Sequence, residues 1–224
     1  ISDFGFDVTV GDFYDQFGSG FIFRTYEERS LGIDNSLRGA RLNVTAWKGV
    51  QFKVLGGLQR RYWDWKHGAW VGGADLEMNL EQYSSKMRDK GITWMVGASG
   101  VLKQEGDEDI IVSGTNYRLD LPTTVGAFDV RSRFQKGNYS VLAEYAWKSQ
   151  DPSFDNGYIY HRGNALMLSA SYSKRGASAL VQVKRSEDMS YRSQRSMVGT
   201  SVFINNMPAF AYQHTYALAA LYPY

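Results

Sequence analysis

The densest cluster of ionisable side chains in the sequence runs from Glu27-Glu28-Arg29-Ser30 to Asp34-Asn35-Ser36-Leu37-Arg38. Mixed charges at this spacing match no catalytic pattern, and on a soluble domain they would decorate a solvated loop. Between the strands of a barrel they could fold inward instead. Glu27, Glu28, Arg29, Asp34 and Arg38 would then meet lumen-facing residues such as Arg24 and Arg41. A hydrated lumen spares such pairs most of the cost of burying ions in a dry core. Residues 27–38 are therefore read as a charged insertion, lumen-facing or looped out. Gly18-Ser19-Gly20 resembles a phosphate cradle only superficially, because no Lys-Ser/Thr pair and no helical pattern follow it. A tight turn between strands is the expectation there, with glycine supplying positive φ.

Other chemistry finds less support. His67, His161 and His214 are scattered without metal-ligand spacing, and the chain has no cysteine for a thiolate zinc site. Glu105-Gly106-Asp107-Glu108-Asp109 lacks the spacing of a calcium-binding loop, and acidic runs of this kind are usually solvated. Nothing selects one serine as the nucleophile of a Ser-His-carboxylate set. The expectation is a protein that is not an enzyme and that needs neither cofactor nor metal. Twenty-five basic against 23 acidic residues give a charge of +2, too near neutral for a dedicated nucleic-acid binder.

The elements that would position these residues read as strands. Aromatic residues make up 15% of the chain and glycines number 23, a composition that favours strands and turns over helices. Ala40, Leu42, Val44 and Ala46 alternate with Arg41, Asn43 and Thr45. After Trp47-Lys48-Gly49 the alternation resumes at Val50, Phe52 and Val54, which reads as a hairpin. Similar runs contain Val96, then Val141, Ala143 and Trp147, then Val181, then Tyr216 and Tyr222. Trp70 to Tyr83 alternates, although Leu76, Leu80, Tyr83 and Met87 also fit a helical stripe; it is read as a strand because its neighbours are strands. The whole chain, 1–224, yields about eleven strands of ~9–12 residues, long enough to cross a bilayer when tilted. No apolar run approaches the ~18 residues of a membrane-spanning helix, which leaves a β-barrel open.

The connections alternate between short and long. Basic residues mark the short ones: Lys48, Lys86, Arg88, Lys90, Lys136, Lys174 and Arg175. Acidic clusters sit in the long ones, as at Asp151, Asp155, Glu187 and Asp188. An all-β, antiparallel, up-and-down transmembrane barrel would give this order. Val44, Val54, Val96, Val141, Ala143 and Val181 should then face lipid near mid-membrane, with Trp47, Tyr139, Trp147, Tyr216 and Tyr222 nearer the interfaces. An odd strand count, with Pro223 near the end of the last run, predicts an incomplete portion of a larger barrel.

The segment GDFYDQFGSGFIFRTYEERSLGIDNSLRGARL, from Gly11 to Leu42, resembles a family of outer-membrane barrels of Bacteroidetes-type bacteria catalogued as a domain of unknown function. INNMPAF and HTYALAALYPY near the end carry the same resemblance more weakly. It implies a Gram-negative outer-membrane location, a signal peptide removed or absent here and a longer parent chain, and it implies no activity. The expected function is a porin-like channel, transporter or accessory of a secretion or uptake assembly. Its partners would be outer-membrane lipid and other envelope proteins, and no nucleic acid. The alternative is a soluble β-rich module binding glycans or another ligand.

Overall fold

The computed structural model describes residues 5–60, 68–106, 110–111, 118–197 and 202–207. Eleven strands occur among them: β1 (Gly5–Phe13), β2 (Glu27–Glu28), β3 (Ile33–Asp34), β4 (Leu37–Trp47), β5 (Val50–Gln59), β6 (Trp70–Asn79), β7 (Ile92–Gln104), β8 (Thr124–Lys136), β9 (Tyr139–Lys148), β10 (Gly163–Lys174) and β11 (Ala177–Glu187). β2 and β3 form a separate two-residue hairpin. The other strands build one 9-stranded antiparallel sheet in the order β1-β4-β5-β6-β7-β8-β9-β10-β11. The fold is all-β, and the sheet is a simple meander. Among the described residues it does not close, since β1 pairs only with β4 and β11 only with β10. The run containing Tyr216 and Tyr222 lies outside the described residues.

The meander sorts its connections to opposite ends. Residues 48–49, 80–91, 137–138 and 175–176 form the short-turn end. The described residues of 14–36, 60, 68–69, 105–106, 110–111, 118–123 and 149–162 form the opposite, long-loop end, from which 188–197 and 202–207 also depart. Gly49, Gly137 and Gly176 take positive φ in the tightest turns, where a side chain would be strained. The ambiguous segment after Trp70 divides between its two readings. It is a strand to Asn79, then a 3-10 turn over Leu80–Tyr83 and the one-turn helix α1 (Ser85–Asp89). The helical stripe was real only beyond Asn79, where pairing with β5 and β7 has ended.

Glycine also shapes the sheet. A Cβ on Gly57 would lie 2.6 Å from the Arg38 carbonyl oxygen, and one on Gly39 would run into the Gly56 carbonyl. The β4–β5 backbones therefore approach more closely here than any side chain would allow, which is how strands bend sharply. The hydrophobic core lies on one face of this sheet, toward the long-loop end. Leu37, Leu55, Val71, Val101 and Val125 from the strands meet Phe17, Phe21, Ile22 and Phe23 from the β1–β2 connection, together with Tyr191 and Ile204.

Candidate functional site

Strict alternation gives each strand two faces, and across the middle of the sheet the outer one is the more apolar. One cross-strand row of the outer face reads Phe6, Val44, Phe52, Leu76, Ala98, Val130, Tyr145 and Leu166, and ends at Arg185 on β11. Phe6, Leu76, Val130 and Tyr145 among these are exposed. The inner row beside it reads Asp7, Asn43, Lys53, Asp75, Ser99, Asp129 and Ala146. The next inner row contains Glu77, Gly97, Arg131 and Glu144. On this inner face, charged residues of the middle rows are buried beside the apolar core of the long-loop end. Arg131 is 5% exposed, Asp129 1%, Glu144 1%, and Lys103 and Lys148 0%.

Arg131 organises the middle of the inner face. It donates to Asp129 Oδ1 at 2.9 Å, to Glu77 Oε1 at 2.8 Å, to Ser99 Oγ at 2.6 Å and to Asp75 Oδ1. Its reach from β8 across β7 to β6 passes over Gly97, where a Cβ would come within 2.9 Å of the guanidinium. A planar fork with several donors suits this multi-carboxylate task, which a lysine could not perform.

Two segments cover this face. In the first, residues 14–26, Asp15 receives Lys53 Nζ at 2.5 Å and Arg41 Nη1 at 3.0 Å. Phe17 packs over Gly73 of β6, whose missing side chain makes the space. Gly18 and Gly20 take positive φ, and the Gly20 N–H donates to the Phe17 carbonyl at 2.9 Å, closing a tight turn. At its tip the Ser19 N–H donates to Glu144 Oε1 at 3.1 Å and the Ser19 hydroxyl to Glu144 Oε2. The second segment comprises 188–197 and 202–207. Lys103 and Arg195, both fully buried, converge on Asp151 at 3.0 Å each. Glu105 stands 3.0 Å from Lys103 and so belongs to this cluster. The Tyr191 hydroxyl donates to the Val125 carbonyl at 2.6 Å. Asn205 ties the segments together, donating to the carbonyls of Phe21 and Met189, both at 2.7 Å.

Below the first segment, toward the short-turn end, a polar cavity of about 420 Å³ opens between Gln16, Asn43, Thr45, Gln51, Lys53, Asp75 and Glu77. It could hold water or a polar solute. No group of three or more His, Asp or Glu side chains arranged to hold a metal occurs among the described residues.

The sequence-derived candidates separate. Arg41 faces inward and pairs with Asp15. Asp34 is buried and accepts from the Tyr14 hydroxyl at 2.9 Å. The Arg24 N–H donates to the Ile204 carbonyl at 2.8 Å. Glu27, Glu28 and Arg29 lie on the exposed small hairpin, where Arg29 pairs with Glu27 at 2.8 Å. Arg38 is on the outer face, bonded to Asp12 at 2.9 Å. The covering of the inner face comes mainly from residues 14–26, before this cluster; the tight turn expected at Gly18–Gly20 is present at the tip of that segment. The missed signal is Phe17, Phe21, Ile22 and Phe23, too apolar a set for an exposed loop.

Val44, Val54, Val96, Val141, Ala143 and Val181 all lie on the outer face. Their depth along the strands varies. Val54 is mid-strand, whereas Val141 sits near the short-turn end, two residues from Tyr139. Tyr139 stacks on Tyr172 at 4.9 Å at that end, where Trp47 is also exposed. Trp147 lies toward the opposite end, 5.4 Å from Phe128.

Fold and site together define an all-β protein whose long antiparallel meander is mainly apolar on its outer face. Its inner face carries buried charged rows beside an apolar core and is covered by the chain's own connections. The chain belongs to the family of unknown function DUF6029, whose model matches residues 1–224. No curated protein and no solved structure matches it.

Proposed function

We propose that this chain forms part of the wall, and supplies the plug, of a β-barrel in the outer membrane of a Gram-negative bacterium. There it acts as a gated channel, a transporter or an accessory of a secretion or uptake assembly. The observation that carries the reading is the inverted polarity of the sheet. A row of large apolar side chains faces outward, while Arg131, Asp129, Glu144, Lys103 and Lys148 are buried. In water this arrangement would expose the hydrophobic surface and bury the ions, losing on both counts. In a bilayer the outer face meets hydrocarbon and the inner face a polar lumen. Strands of 9 to 13 residues suit the ~9–11 that a tilted crossing needs. Among the described residues β1 and β11 are edge strands; in lipid each unpaired backbone group costs several kcal/mol, so on this reading both edges find partners within a closed barrel.

The plug fills the lumen near the long-loop end, so the resting state passes little. Reconstitution into planar bilayers tests this. The wild type should show heat-modifiable migration on a denaturing gel and low conductance, and replacing Glu144 by alanine should raise the open fraction. A monomer that stays soluble in plain buffer and never inserts would overturn the reading.

A further inference from the structure

We propose that a groove on the outer face of β5–β9 seats one acyl chain of an anionic phospholipid, whose phosphate is not offset by a choline cation, with the headgroup at Arg162. This rests on the membrane reading above and adds a specific lipid site to it. Most of the outer face carries full-sized side chains, but Ala74, Gly100 and Gly126 leave a depression there. Trp70 and Leu102 stand beside it, and Trp147, stacked on Phe128, closes the far side. The Trp70 indole lies flat over Gly72, which has no side chain to lift it. The volume is about 560 Å³, within the ~300–1,000 Å³ range of sites that enclose a small organic ligand.

The lining selects the ligand. No ionisable or amide side chain borders the groove, so a solute that needs hydrogen bonds would lose them on entry. Hydrocarbon would lose nothing. A narrow, flexible chain can follow a floor set between aromatic walls, which the rigid surface of a second barrel could not enter. The exposed Arg162, on the connection 149–162, holds its guanidinium 6.0 Å from the Trp147 ring centroid. A cation at the long-loop end of an apolar groove complements a lipid phosphate, to which guanidinium binds with paired N–H donors.

The probe is phosphatidylglycerol with a diazirine on one acyl chain, present as a small fraction of phosphatidylcholine vesicles containing the protein. After illumination, labelled peptides are mapped by mass spectrometry. Label should concentrate on the strands carrying Gly100 and Gly126. Gly100→Leu should reduce it about tenfold, as expected if filling the groove removes ~1.4 kcal/mol of binding. That variant should fold, since a Cβ at Gly100 meets no atom closer than 4.0 Å. Arg162→Ala, on an exposed loop, should weaken labelling by the phosphatidylglycerol probe and leave a phosphatidylcholine probe unchanged. Even labelling around the whole outer face, or no effect of Gly100→Leu, overturns the site while leaving the membrane reading intact. Protein–protein crosslinks at these strands in place of lipid label also overturn it. Failure of the protein to enter vesicles at all would instead defeat the membrane reading and the site with it.

Discussion

Val130 occupies the middle of the 13-residue strand β8, 48% exposed on the outer face between Ala98 and Tyr145. Its sequence neighbours Asp129 and Arg131 point the other way and are buried. Replacing Val130 by arginine separates the two solvents that could meet this face. At the midplane of a bilayer, a lipid-facing arginine costs ~2–4 kcal/mol, or about 30- to 900-fold in the folding equilibrium. Against water, a change at so exposed a position should stay within ~0.5 kcal/mol of neutral. Val141→Arg supplies the depth control, because it sits two residues from the Tyr139–Tyr172 stack and should cost only ~0–1 kcal/mol. Val130→Ala supplies the packing control. Lipid can follow the shortened side chain, so the loss should stay below the ~2 kcal/mol at which core cavities begin. The assay is equilibrium refolding from urea into phospholipid vesicles, read by gel mobility without heating. Arginine variants at Val130 and Val141 that are both as stable as wild type would refute the reasoning, as would equal losses at the two depths.

Other perturbations address the plug. Asp151→Ala leaves Lys103 and Arg195 buried with Glu105 as the remaining carboxylate of the cluster. It should destabilise by ~3–5 kcal/mol, measured by urea unfolding, whereas a loss near zero would mean the cluster is hydrated. Ser19→Ala removes one hydroxyl bond to Glu144, worth ~1.5–3 kcal/mol for a charged acceptor. It should speed proteolysis within 14–26 without changing cleavage of the sheet. Burial, followed by the bond to Asp34, pushes the Tyr14 phenol from its ordinary 10.0 up to about 12. A folded value above the unfolded one means this contribution is complete below about pH 10 and is lost as pH rises through about 12. Tyr14→Phe should remove that late phase from an alkaline absorbance titration, and a wild-type titration without the phase would contradict it.

The meander was legible because alternation needs only the local pattern, and Gly39 to Leu58 displays it on both strands of a hairpin. The two classes of connection were less cleanly legible, because the connection from β6 to β7, 80–91, is longer than that from β5 to β6, 60–69. What the sequence hid was contact across distance. Ser19 and Glu144 are separated by 125 positions, and nothing local marks either as the other's partner. Asp151 reads as one more loop carboxylate until the fold brings Lys103 and Arg195 to it. Charge density drew attention to Glu27–Arg38, yet Glu27, Glu28 and Arg29 satisfy one another or their own backbone on the exposed hairpin. The inward segment announced itself through aromatics, a signal that a search for ionisable chemistry passes over.

The inverted polarity of the sheet is open to direct measurement, because the chain has no native cysteine and single cysteines can be placed at will. Nitroxide labels at successive positions from Gly126 to Phe134 along β8, in vesicles, report collision with oxygen, which concentrates in lipid, and with a nickel chelate confined to water. The account predicts an alternation of period two. Positions 126, 128, 130, 132 and 134 should collide freely with oxygen and hardly with nickel, while 127, 129, 131 and 133 should be screened from oxygen. Nickel access at positions 128, 130 and 132 equal to that of a label in bulk water would place the outer face in solvent and contradict the central claim.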